Sequence, residues 1–151
     1  MPLITVLLLI YASSAIFANG RRQRKHELVV AGSVVGYDEL IPLANITSAP
    51  QLQILIVRVG KRMKGREESR YIKVVYEHMQ NEPKLPDEVF DGKRQWRFAL
   101  MKPSAQDHSC KGPLQGLKQT TGVDAEKIPG DASLPCYVLR PGDLKPYDSK
   151  R

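Results

Sequence analysis

Between Pro50 and Gly60 the chain carries Leu52, Ile54, Leu55, Ile56, Val57 and Val59, an apolar run of about eight positions. A membrane-spanning helix needs about 20 such residues, so this run is far too short to cross a bilayer. Its β-branched content and its two flanking breakers favour a strand covered on both faces. Arg58 interrupts the run near its end. The following "KRMKGREES", residues 61–69, is expected as a connection with Gly65 at its turn.

Other segments also read as strands, and two of them alternate with a two-residue period. "HELVVAGSVVGYDEL" (26–40) is rich in Val and holds Gly32 and Gly36, which inside a strand point to bulges or a sharp bend. "RYIKVVYEH" (70–78) places Ile72, Val74 and Tyr76 on one face and Tyr71, Lys73 and Val75 on the other. "KRQWRFALM" (93–101) turns Trp96, Phe98 and Leu100 inward and Arg97 outward. "LPCYVLRPGDL" (134–144) supplies a closing strand and a turn at Pro141-Gly142. Between them, Pro83 and Pro86 break residues 79–92. Residues 102–134 form a long Pro- and Gly-containing loop with room for one short helix near 123–128. The expected fold is therefore mainly β. Five strands with a bent first strand suit a small five-stranded OB-like barrel. A β-sandwich is the alternative, although sandwiches are usually built from about seven strands.

Residues 1–20, "MPLITVLLLIYASSAIFANG", have a dense apolar core followed by small residues and no charged side chain. This is the pattern of a secretory signal peptide, cleaved after Ala18 or Gly20. A retained anchor is the competing reading, because residues 2–18 just reach the lower limit of about 17 for a span. Residues 21–26, "RRQRKH", form a basic N-terminal arm, and their R-x-x-R spacing would let a processing protease cut after Arg24. Residues 27–144 make a single β-rich domain, and 145–151 a polar tail. Two further features suit an exported chain. Asn45-Ile46-Thr47 is a glycan acceptor tripeptide. Cys110 and Cys136 are the only cysteines, and in an oxidising compartment they read as one disulfide across the long loop. The expected location is outside the cell or in the secretory lumen.

The order "VVAGSVVGYDEL", then "QILIVRVGKRMKG", then "YIKVVY" resembles the front half of the OB-fold barrels of netrin-type modules and tissue inhibitors of metalloproteinases. The shared form is a strand running into a basic Lys-Gly element, as in "VRVGKRMKG", followed by a polar turn and a strand, as in "SRYIKVVY". The resemblance covers residues 28–101 and implies the barrel fold. Those inhibitors bind the protease zinc through an N-terminal cysteine. Residues 19–27 contain none, so that activity is not implied.

Chemistry is sparse. His26, His78 and His108 lie far apart and outside any metal-binding spacing. "DHSC" (107–110) has triad residue types, but consecutive loop residues cannot converge as a nucleophile, base and orienter must. No phosphate-binding glycine loop is present. No enzyme activity, no cofactor and no metal site is expected. What remains is charge: Lys and Arg number 23 against 16 Asp and Glu, a net charge of +7. Arg58, Lys61, Arg62, Lys64 and Arg66 follow the second strand, Lys73 lies on the third, and Lys93, Arg94 and Arg97 flank Trp96. These are candidate anion-binding residues, with Tyr71, Tyr76 and Trp96 beside them. A secretory compartment holds little nucleic acid, so the expected partner is an extracellular polyanion or acidic protein, such as a sulfated glycan, or an anionic lipid head group. A solvated basic surface, a signal-anchored membrane protein and an enzyme of unknown chemistry are the rival readings.

Overall fold

The structure is a computed structural model that describes residues 25–40, 51–79, 81–105, 110, 118–119 and 134–150. Residues 1–20, the arm to Arg24, Asn45, His108 and the helix expected near 123–128 lie outside the described residues. Among the described residues seven strands form: β1 (Leu28–Leu40), β2 (Gln51–Lys64), β3 (Tyr71–His78), β4 (Trp96–Leu100), β5 (Lys118–Gln119), β6 (Cys136–Leu139) and β7 (Leu144–Pro146). Six of them run in the order β6-β3-β2-β1-β4-β7, and β5 pairs with β1. Every pairing is antiparallel except β3 with β6.

The chain is mainly β, as its alternation implied, but the sheet is a curled half-barrel rather than a ring of five full ladders. Past the end of β4, Met101 exchanges two backbone hydrogen bonds with Val138 of β6, at 3.0 and 2.8 Å. Met101–Val138 is the one bridge between the β4 end and β6 among the described residues. Two strands come from stretches that looked irregular in sequence. β5 falls in the long loop. β7 begins the segment expected as a polar tail: Lys145 pairs with Arg97, Pro146 with Trp96, and the Tyr147 amide donates to Gln95 O at 3.1 Å.

β1 has 13 residues and serves β2 on one side and β4 and β5 on the other. Its register with β2 slips between Val29 and Val30, between Ala31 and Gly32, and between Val34 and Gly36. Each slip bends the strand and adds twist, which is how one long strand curls a sheet. Gly32 is required by contact. A Cβ there would sit 2.5 Å from Arg58 O and 2.9 Å from Val57 Cγ1.

β2 also outruns its apolar run. "KRMK", expected as loop, is strand, because β1 continues to offer ladder partners: Ala31 to Lys61, Val30 to Arg62 and Val29 to Lys64. The turn starts only at Gly65, whose φ of 94° is left-handed and suits glycine.

The main core lies inside the curl. Leu28, Val30 and Val34 of β1, Leu55 and Val57 of β2, Ile72, Val74 and Tyr76 of β3, Trp96, Phe98 and Leu100 of β4, and Tyr137 and Leu139 of β6 meet there. The β3–β4 connection adds Leu85 and, from a short 3-10 turn at Asp87–Asp91, Val89. Phe90 of that turn packs against Tyr37, ring centroids 4.7 Å apart and planes tilted by 56°. A second, smaller cluster sits outside the curl: Val35, Ile56 and Tyr71, with Leu134 packed on them. The two clusters explain why Ile54–Val57 are all buried, since the strand is covered on both faces. Tyr71, Lys73 and Val75 are buried as well, so β3 is covered on both faces. No helix among the described residues is long and apolar enough to cross a membrane.

Candidate anion-binding face

Residues paired across an antiparallel ladder share a face of the sheet. On the outer face of β1, the short residues Val29, Ala31 and Ser33 sit between longer ones. Arg58 of β2 lies opposite Ser33, and Lys61 lies opposite Ala31. On the other side of Ala31 stands Arg97 of β4, and beyond it Lys145 of β7. Lys61, Ala31, Arg97 and Lys145 thus form one row across four strands. At about 4.8 Å per strand spacing, the row spans roughly 14 Å at the backbone. Arg58, Lys61 and Lys145 are exposed and Arg97 is half-buried. The side chains of these four make no hydrogen bond or ion pair with a described residue. No carboxylate lies within the Lys61–Ala31–Arg97–Lys145 row; in the next row Asp143, opposite Ala99, faces His26 at 2.9 Å.

Gln95 lies across this face. It precedes β4, yet a Cβ added at Gly60 of β2 would come within 2.9 Å of its Nε2. The side chain therefore spans β1, and Gly60 leaves room for it. Ala31 and Ser33 are sealed beneath, at 0 and 7% exposure.

The other expected cations do different work. Arg62 pairs with Val30, an inward position, and donates to Glu68 O at 2.6 Å, bracing the hairpin. Lys64 shares the outer face but donates to His26 O at 2.6 Å. Arg66 is exposed in the turn between β2 and β3. Lys93 and Arg94 are exposed ahead of β4, and the Arg94 guanidinium stands 5.5 Å over the Trp96 ring. Lys73 does not belong to an exposed site: it is 3% exposed, flanked by Ile56 and Cys136 in neighbouring strands. The expected aromatic platforms are also withdrawn. Tyr71, Tyr76 and Trp96 are all buried, so none is available to stack on a ligand. Lys145 was missed because a three-residue strand leaves almost no pattern.

At the β2–β3 hairpin, Glu67 accepts hydrogen bonds from the Tyr137 hydroxyl at 2.6 Å and the Ser69 amide at 2.9 Å. Burial pushes Glu67 upward, but these bonds outweigh it and hold the carboxyl below its ordinary value. Burial, and then the bond to Glu67, raise Tyr137 well above the usual tyrosine range. A lowered carboxyl contributes stability that is complete above the unfolded value, near 4.5, and is lost as pH falls through the folded one. A raised tyrosine contributes stability that is complete below its unfolded value, near 10.0, and is lost as pH rises further. Glu67→Gln is expected to lower the neutral plateau of a urea-midpoint-against-pH curve and so flatten its acid limb. Tyr137→Phe is expected to cost about 1.5 kcal/mol at neutral pH, the lower end for a bond to a charged acceptor, because Glu67 is only half-buried. An unchanged acid limb in Glu67→Gln would remove this carboxylate from the account.

The remaining sequence candidates separate. Cys110 and Cys136 are disulfide-bonded, with Cα atoms 5.9 Å apart. His26 faces Asp143 at 2.9 Å, and His78 stacks on Tyr76. Among the described residues no group of three or more His, Cys, Asp or Glu side chains is placed to hold a metal. No protein-family model matches the chain, and no curated protein or solved structure is significantly similar to it.

Proposed function

We propose that this chain is a secreted, non-enzymatic binding module on an OB-like barrel, and that the outer β2–β1–β4–β7 face holds an acidic partner. The barrel reading is supported by the path β1-β2-β3-β6-β4 and its Met101–Val138 bridge, which suit a partly open Greek-key barrel. It agrees with the netrin-type resemblance of residues 28–101. Export is supported by the leader-like residues 1–20 and by a disulfide, which persists in oxidising compartments.

The observation that carries the binding reading is the Lys61–Ala31–Arg97–Lys145 row. Folding places cations from three distant stretches side by side, with no carboxylate between them. The test is retention on immobilised heparin. Wild-type protein is expected to elute above physiological salt, about 0.15 M. Lys61→Glu/Arg97→Glu is expected to elute much earlier than Lys84→Glu/Lys150→Glu, which changes net charge equally at exposed sites elsewhere. Equal shifts in the two variants would mean that net charge, not this face, makes the contact.

A further inference from the structure

We infer that the ligand of this face is a linear sulfated polysaccharide lying across the strands from Lys61 towards Lys145. This rests on the reading of the face as an anion-binding surface and narrows its partner.

Four observations select the class. The cations lie in a line, about one strand spacing between Arg97 and Lys145 and two between Lys61 and Arg97. A line suits anions that recur along a chain. A single compact phosphate would need donors converging on one point, and the β1 backbone groups near Ala31 are already taken by ladders on both sides. Secondly, the neighbouring aromatic rings are buried, so the stacking that holds single-stranded nucleic acid is missing. Thirdly, the face offers no apolar anchor for a bilayer or for the core of a protein interface. The large hydrophobics exposed among the described residues are Met63 and Met79, and neither lies in the rows of this face. Fourthly, the Gln95 amide reaches over β1 to Gly60, the residue next to Lys61, at one edge of the row. An amide donates and accepts at once, which fits sugar hydroxyls between sulfates better than it fits an unbroken run of anions.

The experiment measures binding of the full-length protein to heparin-derived oligosaccharides of graded length, phosphatidylserine vesicles and polyaspartate, across a salt series. An octasaccharide is expected to bind far more tightly than a disaccharide, which is shorter than the row. Arg97→Ala is expected to weaken the octasaccharide about tenfold, the loss of one charge-assisted contact, and to make the salt slope shallower. Gln95→Ala is expected to weaken it severalfold with the salt slope unchanged, which a purely electrostatic patch would not do. Circular dichroism confirms that the variants fold. If vesicles or polyaspartate bind as tightly as the octasaccharide and respond to Arg97→Ala, the acidic-partner reading stands and the glycan inference falls. If the octasaccharide binds no better than the disaccharide, or Gln95→Ala has no effect, the inference also falls. If no probe binds, both readings fall.

Discussion

Phe98→Ala is expected to lower the free energy of unfolding by about 3–5 kcal/mol, the range for deleting a buried aromatic side chain. Phe98 is 0% exposed and sits inside the curl. It pairs with Val30 on one side and Leu144 on the other, so it binds the 13-residue β1 to one of the shortest strands. Its ring has no route to solvent and no polar atom to rescue, and truncation leaves a void that a sheet braced on both sides cannot collapse to fill. Total stability of a domain is typically about 5–15 kcal/mol, so this one change removes a large fraction of it. Urea denaturation, with the slope held to the wild-type value, measures the loss. Phe98→Leu, which keeps most of the apolar volume, is expected to cost less than half as much. A loss below about 1 kcal/mol in Phe98→Ala would mean that the site relaxes freely and the interior is not close-packed there.

Some of this architecture was readable in the local sequence because local chemistry caused it. A β-branched run between Pro50 and Gly60 became the fully buried Ile54–Val57. Gly32 and Gly36 marked register slips, because a strand bends where a side chain is missing. Trp96, Phe98 and Leu100 alternated inward because one face of β4 meets the core. The failures share a different cause. "KRMK" has no apolar alternation, and it is strand because β1, thirty residues earlier in the chain, supplies its ladder. Lys73 alternates with core residues as an outward position should, yet it is buried in β3, between the β2 and β6 ladders. Lys145 joined Arg97 through a pairing that three residues could not announce. The nine expected cations were a list of charges near one another in sequence. Which of them share a face is a property of register between distant strands, and register is set by packing rather than by any one segment.

Breaking the Cys110–Cys136 bond is expected to cost about 3.5 kcal/mol, the loop-closure entropy for a separation of 26 residues. The cost falls on one strand in particular. β6 opens at Cys136 and is held by a parallel ladder to β3 and the bridge from Met101 to Val138. A parallel neighbour needs a long connection, and the covalent tie shortens the search that brings β6 home. Reduction and the Cys110→Ser/Cys136→Ser variant should therefore give the same lowered urea midpoint with the same slope. Hydrogen exchange should show protection falling first at the Val138 amide, which donates to Met101 O, and later in the β1–β2 ladder. A uniform loss of protection would mean that β6 unfolds only with the whole molecule. The cationic row uses β2, β1, β4 and β7 but not β6. Reduced protein kept under folding conditions should thus still elute from heparin at the wild-type salt concentration, which separates the strand that completes the curl from the face that faces outward.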